Sequence, residues 1–486
     1  MVLKDTFSLM AKGATYLIKR KLSKSVSGAS FADDSSFADY LCARNNGLLL
    51  DGAKLRLSET DSLQNVCVTA RIGAGKTSRY IIPNVLDKAR RNCSIVVNDP
   101  KGEVFEHTSG HMQKCGYQVI VIDPENLERS SFFNPFSEAR DEIEIEQIAE
   151  ILVRSGLPSQ GGKDDFWIQG AVRFASLFIK CLKNAGNENP DYYNLHNLYY
   201  LFQNFGEDGS NLDDFMSRYT INPDNVDDAT LWNEWKGVLT GNKEGVQSFV
   251  LNAITSLKSL SNQNVSRLTS KSDFKLDEIR QQKTIIYLIT PAQHAEYFSF
   301  LSSMFFRSVF NACMRKMPDR KTLPVYILYD EFGHSTIPNF VSTINTIRGY
   351  KVSISIILQS ISQLDARYGP EYAQSIQGGF NTYLTYSGAD PKTADFFEKI
   401  IGKVRERQQK EIFDTTDQYN EYNLINANEV RTIKSDQALI VSANRQPVKF
   451  STTPYFKSWS FSRLSKKPEA KLNHGDRQIL LKTVSL

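Results

Sequence analysis

The stretch Ala70-Arg71-Ile72-Gly73-Ala74-Gly75-Lys76-Thr77 joins two glycines to a lysine and a hydroxyl. The apolar run Asn65-Val66-Cys67-Val68-Thr69 precedes it, and a segment able to form a helix follows. Strand, loop and helix in that order suit an anion. Glycines let backbone N–H groups close around phosphates, and the helix N-terminus points its dipole at the same place. Lys76 is placed to reach β- and γ-phosphates, and Thr77 Oγ to ligate Mg²⁺. Ala70 stands where the pattern's first glycine belongs and adds only a methyl group. The chemistry implied is binding of a nucleoside triphosphate, ATP with Mg²⁺. The competing reading is a glycine-rich turn that carries Lys-Thr by chance, and it leaves the preceding strand without a purpose.

A phosphate loop needs a carboxylate-bearing strand beside it. Val325-Tyr326-Ile327-Leu328-Tyr329-Asp330-Glu331 supplies one. It puts Asp330 near the Mg²⁺ shell, through water, and Glu331 where it can orient and polarise an attacking water. Two acids ending a strand at a turn would be the plain alternative. The run Val352–Leu358 ends at Gln359-Ser360, and a polar residue at that place senses the γ-phosphate in additional-strand NTPases. Arg348, on the approach to this strand, is a candidate finger toward a neighbouring subunit's γ-phosphate. Its plain alternative is an exposed helix-end arginine paired with a carboxylate.

These groups have to be positioned by a sheet. Apolar runs at Ser94–Asn98, Gln118–Ile122, Thr284–Thr290, Pro324–Tyr329, Val352–Leu358, Thr382–Tyr386 and Ala438–Ser442 read as buried strands of a parallel sheet. Helical patterns such as Tyr297–Met314 and Phe340–Ile347 alternate with them, which argues for an α/β fold with its crevice at the strand C-termini. Residues 138–275 break the alternation with helical patterns only, including Glu142–Arg154, Phe166–Asn184 and Asn194–Asn204, and read as an inserted all-α domain. The expected organisation is a basic N-terminal arm over 1–44, the two halves of the α/β domain over 45–137 and 276–460, and a mobile basic tail over 461–486.

Charge is uneven. Glu138 to Glu234 holds 7 basic and 18 acidic residues, a net of −11 in a chain of +4, so the remainder carries about +15. Nucleic acid avoids such an acidic stretch, whereas a basic protein surface is drawn to it. A solvated acidic face explains the count equally well. Trp232 and Trp235 lie here, and their spacing suits core residues better than an exposed anchor. The six cysteines are scattered without a Cys-x-x-Cys pair, as expected in a reducing compartment. No run approaches the roughly 18 apolar residues of a membrane span. Leu3, Phe7, Met10, Ala14, Leu17 and Ile18, followed by Lys19-Arg20-Lys21 and Lys24, suit either an anionic membrane surface or a solvated arm.

A series of further motifs carries a family resemblance. Asn98-Asp99-Pro100-Lys101-Gly102-Glu103 follows the second strand. Asp330-Glu331-Phe332, Thr346-Ile347-Arg348-Gly349-Tyr350, Leu358-Gln359-Ser360, Ser362-Gln363-Leu364 and Tyr368-Gly369 come next. Gly388-Ala389-Asp390-Pro391-Lys392-Thr393-Ala394 and Asn444-Arg445-Gln446-Pro447 close the series. Over roughly residues 60–460 the chain resembles the type IV secretion coupling proteins, the TraG/TraD-like conjugation ATPases. The resemblance implies a RecA-like P-loop NTPase domain with a mostly parallel sheet and an all-α insert. It also implies a homo-hexameric ring around a DNA channel. It implies recruitment of a relaxase with its single strand, or of a relaxosome accessory protein, to a type IV secretion channel. The family's phosphate-loop residues fall on Lys76 and Thr77, its Asp-Glu pair on Asp330 and Glu331, its glutamine on Gln359, and its arginine on Arg348.

Most members of the family begin with transmembrane helices. Without one, the expectation is a cytoplasmic protein peripheral to the inner face of the membrane, joined to it by a membrane-protein adaptor and monomeric when isolated. Two mechanisms follow: a motor stimulated by single- or double-stranded DNA, and a substrate receptor in which ATP is a structural switch. A ring DNA translocase outside conjugation is a third, disfavoured by the Asp99–Glu103 signature and the helical insert.

Overall fold

The computed structural model describes residues 26–33, 36, 40–156, 165–221, 229–407, 419–442, 444–472, 474 and 479–486. The amphipathic stretch expected between Leu3 and Lys24 lies outside them. In chain order the strands are β1 Val26–Gly28, β2 Val66–Thr69, β3 Ser94–Asn98, β4 Gln118–Ile122, β5 Thr284–Leu288 and β6 Val325–Tyr329. They continue with β7 Val352–Leu358, β8 Thr382–Tyr386, β9 Lys403–Arg407, β10 Tyr419–Asn423, β11 Gln437–Ser442 and β12 Val448–Ser451.

Nine of these form one sheet in the order β12-β11-β8-β2-β7-β6-β3-β5-β4, and β1-β9-β10 form a small antiparallel ribbon. Strands β2 to β8 run parallel. Both faces are covered, and the side chains sort by alternation. Cys67, Val96, Ile286, Ile327 and Ile354 feed the core on one face. Val66, Val68, Ile95, Val97 and Leu328 feed the other.

The sheet is mostly parallel, as expected, but one of the runs read as a parallel strand runs the other way. Ala438–Ser442 lies in the sheet but runs antiparallel, with Ala438 opposite Tyr386 and Ser442 opposite Thr382. A strand buried on both faces carries no signal of direction. Direction comes from the connection. The ribbon strands β9 and β10 and the helix Ala427–Arg431 bring the chain back to the end of the sheet where β8 stops, so it can only run back. A tight turn with Asn444 at φ 63° then returns it as β12.

Between β4 and β5 the described chain forms helices only, among them Glu142–Gly156, Asp165–Glu188, Leu195–Gln203, Thr230–Leu239 and Lys243–Ser256. Asn194 and Asn242 cap two of them by accepting from backbone N–H groups of the first turn. Trp235 is fully buried, ringed by Phe174, Phe178 and Phe205 at 6.5, 6.2 and 6.1 Å. Trp232 is half-buried beneath Lys236, whose Nζ stands 4.5 Å from the ring. Both therefore serve packing. The insert has no core of its own. One cluster of buried side chains runs from the sheet face through Phe305 and Phe133 into the helices. Polar ties reinforce this joint: Arg315 donates to Asp277 at 2.9 Å and Glu144 at 3.1 Å, and Arg307 to Gln147 and Thr343.

The tail expected to be mobile is held at its described residues. Ala470 N–H donates to Ser109 Oγ at 3.0 Å. Val484 is buried, and its N–H donates to Asn197 Oδ1 at 2.9 Å. Basic side chains favour water, but it is the backbone N–H groups that make these bonds.

Candidate nucleotide site at the strand ends

In the sheet order β7 lies between β2, which carries the phosphate loop, and β6, which carries Asp330 and Glu331. Parallel register brings the three C-terminal ends level, with Thr69 beside Leu358 and Tyr329 beside Ile356. Ala70 continues the ladder, donating its N–H to Leu358 O at 2.9 Å, and its backbone φ is not positive. A methyl group is therefore accommodated where the pattern allows glycine. Gly75 has no such freedom. Its φ is 83°, and a Cβ there would sit 3.1 Å from Ser78 Oγ and 3.2 Å from the Arg79 guanidinium. Ile72 is three-quarters exposed at the loop's tip. Arg71 crosses to the β8 exit, where its side chain packs over Gly388.

Lys76 Nζ donates to Glu331 Oε1 and stands 3.5 Å from Asp330 Oδ1. Thr77 Oγ1 donates to Asp330 Oδ2 at 3.3 Å. Gln359 Nε2 donates to Glu331 Oε2 at 2.8 Å. Glu331 takes a left-handed backbone, φ 54°, a strain of about 1–3 kcal/mol. Such strain persists where the surrounding structure fixes the residue. This turn ends β6 and leaves both carboxylates on the phosphate loop's side. Burial pushes the Asp330 carboxyl up, against the pull of Lys76. Burial also opposes the Glu331 charge, but the Lys76 hydrogen bond and charge, with Gln359, prevail and hold it below its ordinary range.

The structure does not bring Arg348 to this group. Arg348 is exposed in the turn before β7, and Gln359 follows the strand's other end, about 23 Å away at roughly 3.3 Å per residue. Arg348 therefore takes no part in the group formed by Lys76, Thr77, Asp330, Glu331 and Gln359.

Several neighbours carry no site role in the sequence, although Asn98, Gln363 and Thr393 stand within its motifs. His334 Nε2 lies 3.6 Å from Glu331 Oε2, with only its position three residues on as a clue. Gln363 Oε1 accepts from Gln359 N–H at 2.8 Å and so fixes the sensor's backbone. Asn98 Nδ2 donates to Asp330 O at 2.7 Å. Arg79 donates to Ala74 O across a π-helical turn, Thr77–Ile81, that opens the following helix. π-Turns recur at functional sites. The Thr393 hydroxyl accepts from Ile361 N–H at 3.0 Å and donates to Asp390, which ties the Gly388–Ala394 motif to the exit of β7.

The residues fit a nucleotide with its metal. A buried lysine faces two carboxylates, the loop glycines hold left-handed conformations, and the buried Asn98 Oδ1 has no hydrogen-bond partner among the described residues. Thr77 and Asp330 offer the hard oxygens that Mg²⁺ prefers.

Two predictions arise here. Gln359→Ala removes one hydrogen bond to a charged group, so steady-state turnover should fall about 10- to 100-fold with nucleotide affinity nearly kept. Unchanged turnover would remove Gln359 from the site. The second concerns Asp99. Its carboxyl is pushed up to about 7, by burial first, although Phe105 N–H donates to it at 2.8 Å. A carboxyl raised in the folded state stabilises the fold at low pH and loses that contribution as pH rises toward 7. Asp99→Asn should therefore flatten the decline of the melting temperature between about pH 4 and 7. Parallel curves for the two proteins would refute this.

Fold and site together define a P-loop NTPase of RecA-like, additional-strand architecture. The family model for type IV secretory system conjugative DNA transfer matches residues 26–478, and the chain belongs to that family. It is 25% identical over 417 residues to protein VirD4 of Rhizobium radiobacter, covering 82% of this chain and 58% of that protein. It is 21% identical to the conjugal transfer protein TraG of the same organism, covering 80% and 62%. The chain thus spans about three fifths of the length of these curated relatives. Among solved structures, the bacterial conjugative coupling protein TrwBdeltaN70, unbound, superposes with a TM-score of 0.67 at 14% identity, over 89% of this chain and 94% of that one. TrwB in complex with ADP and Mg²⁺ superposes at 0.65 and 14% identity, over 89% and 97%. No helix among the described residues is long and apolar enough to cross a membrane.

Proposed function

We propose that this chain hydrolyses ATP with Mg²⁺ as the coupling protein of a conjugative type IV secretion system, driving DNA toward the transfer channel. The observation that carries this is the meeting of Lys76, Thr77, Asp330, Glu331 and Gln359 at three adjacent strand ends. TrwB's complex with ADP and Mg²⁺, on the same fold, supports the choice of ligand.

Entry of the triphosphate gives Lys76 a new partner, so its Nζ leaves Glu331 for the β- and γ-phosphates. Glu331, still held by Gln359, then accepts a proton from water as the water oxygen bonds to the γ-phosphorus. The bond from that phosphorus to the β–γ bridging oxygen breaks, and ADP and phosphate leave. Mg²⁺, held through Thr77 and Asp330, would neutralise phosphate charge. In a ring of six subunits Arg348 would act on a neighbour's site. The protein would work at the inner face of the cell membrane through a membrane-protein adaptor and the channel components.

A second reading concerns the acidic insert, which would dock a basic relaxase or accessory protein. It is favoured by an exposed aromatic cluster. Phe166, 67% exposed, lies 5.2 Å from Trp167 and 5.4 Å from Phe249. Because the insert shares its core with the sheet, the full chain is the right reagent for this reading. Phe166→Ser should abolish salt-sensitive capture of the relaxase and leave ATP turnover intact; unimpaired capture would exclude the cluster.

The motor reading is tested by ATP hydrolysis with and without single-stranded DNA at low and moderate salt. Stimulation that fades with salt is the expected outcome. Hydrolysis indifferent to DNA at every salt would refute the coupling.

A further inference from the structure

The most exposed aromatic side chain among the described residues is a tryptophan: Trp459 is 80% exposed, and Phe456 near it 56%. Tryptophan is seldom left in water unless it has something to cover it. Looseness does not explain this one. Trp459 opens the short helix Trp459–Ser465, and Tyr455 and Phe461 on either side of it are buried. The Tyr455 ring lies 5.3 Å from the His107 ring. Downstream, Pro468 O approaches Gly110 so closely that a Cβ there would stand 1.7 Å from it, and Ala470 N–H is bonded to Ser109. The backbone is therefore braced before and after the ring, and the ring is presented.

Its surroundings are basic and form a shallow depression. Phe456, Lys457, Trp459, Ser462, Arg463 and Lys466 line an open hollow of about 530 Å³. Trp459, Ser462, Arg463 and Lys466 follow helical spacing and share one face. Lys457, Arg463 and Lys466 are exposed and have no carboxylate partner among the described residues.

From this we infer that Trp459 and Phe456 form a stacking platform for single-stranded nucleic acid, with Lys457, Arg463 and Lys466 taking its phosphates. Aromatic faces accept any base, and unpaired cations beside them track the backbone without reading sequence. A lipid surface would call for rings at the crest of a convex face. Here the cations stand beside the rings, with Arg463 and Lys466 on the ring's own helix face, which suits stacked bases with their phosphates alongside. The inference rests on the DNA-motor reading and gives it a contact site. The turn that carries Phe456 packs against the Thr77–Ile81 turn after the phosphate loop, so the occupied platform touches the element that holds the nucleotide.

The test is fluorescence anisotropy of the full chain with a fluorescein-labelled oligothymidylate of about twenty nucleotides, across a salt series. Trp459→Ala should weaken binding about tenfold, as loss of one stacked base does. Trp459→Phe should keep most of the affinity while abolishing the quenching of tryptophan fluorescence on binding. Changing Lys457, Arg463 and Lys466 together to Gln should lower the salt slope by about 2. Unchanged thermal unfolding of each variant shows that the fold persists. If the parent chain binds and every variant binds equally well, the platform is wrong and the motor reading stands. If the parent chain does not bind the oligonucleotide, both fall. If Trp459 instead governs binding to anionic phospholipid vesicles and not to the oligonucleotide, the patch is a membrane contact and the inference is overturned.

Discussion

Lys76→Ala should lower ATP turnover by at least ~10²–10³-fold while the protein remains folded. The lysine is the one cation that the described structure aims at both Asp330 and Glu331, and it is itself buried. Turnover falls because the developing charge on the transferred phosphoryl group loses its clamp. A second consequence concerns the nucleotide-free protein. Without Lys76, the buried Asp330 and the half-buried Glu331 lose the cation between them, and their charge becomes more expensive. Glu331 is held below its ordinary range in the parent protein. Such a group stabilises the fold above its unfolded pKa, about 4.3, and loses that contribution as pH falls through the folded value. The melting temperature of Lys76→Ala should thus lie furthest below the parent at neutral pH, and the gap should close below about pH 4. Differential scanning fluorimetry from pH 3.5 to 8 reads this directly. A pH-independent gap would mean that Lys76 does not pair with these carboxylates, and normal turnover would displace the site altogether.

Glu331→Gln is the second large effect, and its signature is different. The amide keeps the shape and still accepts from Gln359, but it cannot take a proton from water. Turnover should fall about 10²–10⁴-fold, the range for a positioned general base. Nucleotide affinity should hold or rise, because Lys76 no longer has to leave a charged partner to reach the phosphates. Fluorescent-nucleotide titration beside single-turnover hydrolysis separates the two. Loss of binding together with turnover would make Glu331 a structural partner of Lys76 and no base. The left-handed backbone at Glu331 adds a check, since Glu331→Gly relieves the strain and yet should be as inactive as the glutamine variant.

Much of this site could be read from the chain. The seven parallel strands announce themselves as short, mainly apolar runs, because burial on both faces favours apolar side chains with a few small hydroxyls among them. Ser94–Asn98, Gln118–Ile122, Val352–Leu358 and Thr382–Tyr386 begin and end where those runs do. The phosphate loop and the Asp330-Glu331 pair were legible because their spacing is fixed by local geometry.

What remained hidden is non-local. The direction of β11 depends on where its connection arrives. The partners of Gln359 and Asn98 depend on strand order, since β7 between β2 and β6 sets Gln359 against Glu331 across a separation of 28 residues. Arg348, a candidate finger toward a neighbouring subunit, lies near Gln359 in sequence, but the intervening strand puts it at the opposite end of β7. The tail beyond Arg463 looked solvated because composition counts side chains, whereas the bonds that hold it come from backbone N–H groups. The sequence by itself determined which residues could do phosphate chemistry and which segments must be strands, because both follow from short-range spacing. Tertiary structure alone decided which carboxylate faces the lysine, which arginine does not, and which tryptophan is left in water, because those depend on packing between segments far apart in the chain.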